Sequence, residues 1–234
     1  MRSLMIVLTI LLGLVCPPSR AQTPASANAE QRRDALLEAM GGAAVWREVI
    51  GARISATHYS TATRLPYRNV IWNDFRRFRL HIEASNIELL RVFSYDGESG
   101  WRDDGSNVTQ IAPARVAEER AWWSANVYRT LHRLAMPDPA LSVRLLGDGR
   151  LAVFEQGKGL LAWFALNAVG EPLRFGTEEN GPGTLFGPLA SHASGARYPR
   201  WGSDSSGSWR YEVHDAEFSR RAVVMPPLPQ PKAE

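Results

Sequence analysis

The segment Arg77-Phe78-Arg79-Leu80-His81-Ile82-Glu83 alternates without a fault. Phe78, Leu80 and Ile82 fall on one face of an extended strand, and Arg77, Arg79, His81 and Glu83 fall on the other. A strand of this kind is half buried: it needs neighbours to pair its backbone and a layer of structure over its apolar face. Candidate neighbours lie close by, with β-rich segments at 54–64 and 67–72 before it and another at 89–95 after it, ending in an Asp96-Gly97 turn. Further on, Gly147-Asp148-Gly149 separates strands at 143–146 and 151–154. Val169-Gly170-Glu171-Pro172 separates 161–166 from 173–175, and Trp209, Tyr211 and Val213 mark a last alternating strand. Turns this short leave no room for parallel crossovers, so the sheet is expected to be antiparallel.

Two helical regions complete an α+β chain. The first covers 28–40, with Asn28 as cap, Gln31 in capping-box position and Gly41-Gly42 as the stop; a short helical segment at 43–49 follows. The second is expected as one helix over 113–135. Pro113 suits its first position, Glu118 and Glu119 lie toward its positive end, Arg129, His132 and Arg133 lie toward its negative end, and Pro137 stops it. On a helical wheel Val116, Trp123, Val127, Leu131 and Leu134 form a stripe that should face the sheet, leaving Trp122 and Arg129 facing away. Arg120 falls inside that stripe. Either it reaches water or a structural carboxylate, or it meets the polar end of an apolar ligand.

The amino terminus reads as a secretory leader. Met1-Arg2 is followed by twelve apolar-run residues at 4–15, too few to span a bilayer, and Ser19 and Ala21 invite cleavage before Gln22. The rival lipoprotein reading of Cys16 is opposed by Val15, where processing wants a small residue. Cleavage removes the one cysteine, and with it any disulfide or thiolate chemistry. It also takes Arg2 and Arg20 from the 27 basic residues, leaving 25 against 24 acidic ones. That balance, in an exported chain, disfavours nucleic acid as a partner. The expected organisation is a leader over 1–21, one domain over 22–224 and a proline-rich tail over 225–234, with no membrane-spanning segment in the mature chain.

The usual marks of catalysis are missing. The five histidines, His58, His81, His132, His192 and His214, show no metal-ligand spacing, so neither metal nor cofactor is expected. His214 and Asp215 are adjacent in a strand and should point to opposite faces, which prevents them from acting as an acid–base pair. Ser203, Ser205, Ser206 and Ser208 stand in what reads as a flexible turn rather than a nucleophile elbow, and Gly181-Pro182-Gly183 lacks the setting of a phosphate loop.

Gly41-Gly42-Ala43-Ala44-Val45-Trp46 and Tyr95-Asp96-Gly97-Glu98-Ser99-Gly100-Trp101, in the order leader, helix, strands, Asp-Gly turn, helix insertion and further strands, resemble the LolA/LolB-like family of exported bacterial lipoprotein carriers and receptors. The resemblance covers most of 29–219. It implies a strongly curved antiparallel sheet, an incomplete β-barrel whose open side is covered by helices over an apolar cavity that accepts acyl chains. On that reading the 113–135 helix is part of the lid, and Phe78, Leu80 and Ile82 belong to the cup. The candidate ligand-binding set is therefore Phe78, Leu80, Ile82, Arg120, Trp123, Val127 and Leu131. The Gly- and Pro-rich segment 176–207 departs from the family pattern. The implied role is a periplasmic, non-enzymatic protein that binds an apolar or lipidated ligand noncovalently, with a lipid, an acylated protein or another envelope protein as partner. A packed protein-interaction module and an uncharacterised hydrolase are the alternatives.

Overall fold

The computed structural model describes residues 29–228. The leader, Cys16, the cut before Gln22, the Asn28 cap and residues 229–234 lie outside the described residues. Two helices open the chain, α1 (Ala29–Ala39) and α2 (Ala43–Glu48). Gly41 and Gly42 separate them with φ of 111° and 99°, left-handed backbone that side chains resist. Gly41 also abuts the Gly195 carbonyl where a Cβ would stand.

Six strands follow as a meander: β1 (Gly51–Ser60), β2 (Tyr67–Asp74), β3 (Arg79–Ser85), β4 (Leu90–Asp96), β5 (Ser99–Asp103) and β6 (Val108–Gln110). After helices α3 (Pro113–Ser124) and α4 (Val127–Ala135) come β7 (Leu141–Leu145), β8 (Leu151–Glu155), β9 (Gly159–Leu166), β10 (Pro172–Gly176) and β11 (Thr184–Phe186). A small ribbon of β12 (Leu189–Ser191) and β13 (Arg197–Pro199) precedes β14 (Trp201–Asp204) and the long β15 (Trp209–Ser219). Thirteen strands form one sheet in the order β6-β5-β4-β3-β2-β1-β15-β14-β11-β10-β9-β8-β7, and every pairing is antiparallel. The last strand joins the two halves, because β15 pairs with β1 on one side and β14 on the other.

This sheet is open and strongly curved. Its edge strands, β6 and β7, do not pair with each other. Ile71 of β2 and Phe175 of β10 nevertheless line one cavity, although four strands separate them. In a flat sheet they would be about 24 Å apart, at about 4.8 Å per strand. The helices sit on the concave side. A larger core joins α1, α2 and α4 to β8, β9 and β15, where Trp46 stacks on Tyr128 at 6.0 Å and meets Phe218 edge-on at 5.4 Å. A smaller core packs Val116 and Trp123 of α3 against Phe78, Leu80 and Tyr95. Among the described residues no helix is long and apolar enough to cross a membrane.

Several sequence expectations need correction. The helix over 113–135 is two helices: Asn126 takes an extended conformation and caps α4, its side-chain oxygen accepting the N–H groups of Tyr128 and Arg129 at 3.0 and 3.4 Å. Arg129 does not face away. Its guanidinium lies 3.9 Å over the Trp123 ring and donates to the carbonyls of Phe75 and Ser124. Phe78 stands in the turn before β3 rather than in the strand, yet is buried. His81 is buried as well, on the outward face. Trp72 of β2 and Ser94 of β4 pair beside it and enclose it, and its ring nitrogens meet Ser94 Oγ at 2.7 Å and Glu83 Oε1 at 3.2 Å. The 176–207 segment carries β11 to β14, and Ser203 belongs to β14 rather than to a flexible turn.

Candidate functional site: a cleft on the concave face

Small residues make the cleft. On β1 the inward positions are Ala52, Ile54, Ala56 and His58, and their partners on β2 are Asn73, Ile71, Asn69 and Tyr67. Two alanines at the centre of the concave face leave room that larger side chains would fill. Phe175 of β10, Phe186 of β11, and Trp209 and Tyr211 of β15 form the far wall. The roof is the bend between α3 and α4, with Trp122, Ala125, Asn126, Val127 and Tyr128 over the opening. The cleft, open to solvent on one side, has a volume of about 200 Å³.

The cleft continues outward. Trp122, Ala125 and Thr177 also line a broader groove of about 560 Å³ between α3 and β9, where Ala117, Ala121, Leu160 and Leu161 supply apolar surface and Arg120, Glu155 and Lys158 stand at the rim. Trp122 is 46% exposed at the junction of the two. Cleft and groove together make a path from solvent to the concave face.

The cleft is apolar but not uniformly so. His58, 8% exposed, is held between Tyr67 and Tyr211 at centroid distances of 5.2 and 5.7 Å, with Trp209 at 5.6 Å. Burial in this aromatic stack pulls the His58 pKa down to about 4, so the ring is neutral at pH 7. Burial likewise pushes the Tyr211 phenol up. The Asn69 amide nitrogen approaches His58 Nε2 at 3.4 Å. Among the described residues, His58 Nδ1, Asn69 Oδ1 and Asn73 Oδ1 are buried with no hydrogen-bond partner. Among the described residues no charged side chain lines the cleft.

Sequence reasoning placed the site next to this cleft rather than in it. Val127 lines the cleft and Arg120 lines the groove. Phe78, Leu80 and Trp123 bury one another in the smaller core with Ile82 at its margin, and Leu131 is wholly inside the larger one. Trp123 also donates from Nε1 to the Asp74 carbonyl at 2.7 Å, a contact that ties α3 to the sheet. Arg120 is bound to Glu98 and the Gly97 carbonyl, both at 2.6 Å, and lies over Phe78. The residues missed are Ala52, Ala56, His58, Asn69, Asn73 and the aromatic wall. Their trace in the sequence is polar residues at period two on a face that is otherwise apolar: Asn69, Ile71, Asn73.

Away from the cleft, buried His81 stands between Ser94 Oγ and Glu83 Oε1, whereas the adjacent His214 and Asp215 do not pair with each other. His214 is the extra residue of a bulge opposite Ser55 and Ala56, where its Nε2 meets Thr57 Oγ1 at 2.7 Å, while Asp215 pairs with Arg53 at 2.8 Å. Both are exposed. Among the described residues no group of three or more His, Cys, Asp or Glu could hold a metal ion.

No family model matches the chain, and no curated protein matches it. Solved structures do. A LolA superfamily protein from Nitrosomonas europaea is similar over 82% of this chain and 94% of its own, with 10% identity and a TM-score of 0.45. A provisionally assigned outer membrane lipoprotein-sorting protein domain from Vibrio parahaemolyticus is similar over 82% of this chain and 93% of its own, with 8% identity and a TM-score of 0.36. At 8% and 10% identity and TM-scores below 0.5, these likenesses identify neither family, ligand nor role.

Proposed function

We propose that this protein binds an apolar or acylated ligand noncovalently in the concave cleft, as an exported, periplasmic carrier or receptor and not as an enzyme. One observation carries the reading: the middle of the concave face is left open, with Ala52 and Ala56 where larger residues would close it, and an apolar groove leads to it past Trp122. A cavity of about 200 Å³ is smaller than the roughly 300–1,000 Å³ of ordinary small-molecule sites, so it takes the inner part of a chain while the groove takes the rest. Burial supplies about 0.8 kcal/mol per methylene. Ten methylenes thus offer about 8 kcal/mol before the cost of association, with no reacting group needed.

The test fills the cleft from two walls. Ala56→Phe on β1 and Thr184→Trp on β11, both lining the cleft, should each weaken binding of the uncharged probe N-phenyl-1-naphthylamine to delipidated protein at least ten-fold, and Val169→Arg on the exposed β9–β10 turn should leave it unchanged. Equal binding by the parent and both filled variants would place the ligand elsewhere. No saturable binding by the parent would favour the protein-interaction module.

A further inference from the structure

His58 and Asn69 present a donor and an acceptor side by side inside an otherwise apolar cleft. Their strands pair so that His58 of β1 lies opposite Tyr67 and Ala56 opposite Asn69, which places the imidazole diagonal to the amide on one face. Because the Asn69 amide nitrogen donates to Nε2, the ring proton resides on Nδ1. That N–H is a donor with nothing to bond, and Asn69 Oδ1 is an acceptor in the same condition. Buried polar groups in folded proteins are nearly always paired, so two adjacent orphans, one on a side chain more than nine-tenths buried, mark a place for a partner. The aromatic stack of Tyr67, Tyr211 and Trp209 holds the imidazole in place before any ligand arrives. Asn73 Oδ1, about 13 Å further along β2 at about 3.3 Å per residue, is a second unpaired acceptor on the same face.

Resting on the acyl-binding reading above, we infer that this pair selects ligands whose head group is uncharged and both donates and accepts hydrogen bonds, an amide or a hydroxyl, and that it discriminates against carboxylates and phosphates. An amide fits most directly: its carbonyl accepts from His58 Nδ1 and its N–H donates to Asn69 Oδ1. A hydroxyl can make the same two bonds through one oxygen. An anion meets the Asn69 amide oxygen and a neutral imidazole, among the described residues no arginine or lysine lines the cleft to neutralise it, and it forfeits its own hydration. Sites that bury hydrogen-bonding groups reject analogues unable to pair with them far more strongly than apolar pockets reject a change of size.

Chain-matched ligands test this at pH 7.5 on delipidated protein, by displacement of N-phenyl-1-naphthylamine. Dodecanamide and 1-dodecanol should each bind at least ten-fold more tightly than dodecanoate. The better of the two distinguishes an amide-linked chain from a hydroxyl-bearing one such as a glycerol ester. His58→Phe, which keeps a ring in the stack, and Asn69→Leu should erase most of that ratio while the naphthylamine still binds. The imidazole ¹⁵N resonances of the parent should report an Nδ1-protonated ring that shifts with dodecanamide and not with the naphthylamine, a readout that holds if a variant fails to fold. Dodecanoate binding as tightly as dodecanamide, or a ratio unaltered in both variants, would overturn the selectivity and leave the apolar cleft standing. If the naphthylamine and all three ligands fail to bind, both readings fall together.

Discussion

Two neighbouring patches of one concave face have opposite fates. Under α3, Phe78, Leu80, Tyr95, Val116 and Trp123 close into a packed cluster; a few residues away, over β1, β11 and β15, the same face stays open around Ala52, Ala56 and His58. Sheet and curvature are common to both. What differs is side-chain volume on the sheet and whether a helix lies flat upon it. Val116 and Trp123 fit the first patch because α3 runs straight across it, whereas the Asn126 cap bends the chain away over the second. An open site here is the local absence of filling, and it coexists with two conventional cores.

Adjacent tryptophans provide the sharpest way to break that contrast. Trp123→Ala removes the Phe78 contact, the Arg129 stack and the bond to Asp74, and should cost about 4 kcal/mol in urea unfolding. Trp122→Ala should cost less than about 1 kcal/mol, since half its surface is already in water. Similar losses at both would mean that the roof of the cleft is as firmly packed as the cluster.

Acid gives the next largest effect. An unfolded histidine titrates near 6.5 and folded His58 near 4, so the unfolded chain binds more protons between those values. The contribution is complete above pH 6.5 and is lost as pH falls toward 4, with a ceiling of about 3 kcal/mol at about 1.4 kcal/mol per unit. The side chains around the ring, Tyr67, Asn69, Trp209 and Tyr211, carry no charge that opposes this. Burial lowers His81 and His132 in the same direction, although Glu83 pulls His81 back up and the Trp46 carbonyl does the same for His132. Replacing His58 with Gln should therefore flatten the stability profile between pH 6.5 and 4 more than replacing His81. The reverse ranking would show that the cleft is wetter than its walls suggest.

The smallest effect is the most telling about role. Asn73→Leu removes a buried unpaired oxygen from the cleft, and stability should stay level or rise by up to about 1 kcal/mol. A loss of more than about 1 kcal/mol would show that Asn73 supports the fold instead of facing a ligand.

Much of the architecture was legible in residue order. Alternation at 79–83, the Gly147-Asp148-Gly149 turn and Gly41-Gly42 match a strand, a hairpin and a helix stop in the structure, because periodicity and backbone freedom are local properties. Ile82 stands opposite Ile71, and Leu80 packs with Val116 and Trp123 of α3 in the smaller core. Locality fails at Asn126. The charges at Glu118, Glu119, Arg129 and Arg133 suit one continuous helix, and nothing in them shows that a side-chain cap ends one helix and begins another. It fails again at His81, whose burial depends on Trp72 and Ser94 arriving from two other strands.

The sequence by itself determined the antiparallel pairing, the helices at either end of the meander and the lack of any local catalytic motif, since each depends on residues within a few positions of one another. Tertiary structure alone decided where the concave face is filled and where it is open. Cavity and core are built from the same apolar residue types, and only the curvature that brings Ile71 and Phe175 to one space, with two alanines between and Trp122 above, leaves His58 Nδ1 and Asn69 Oδ1 buried and unpaired among the described residues.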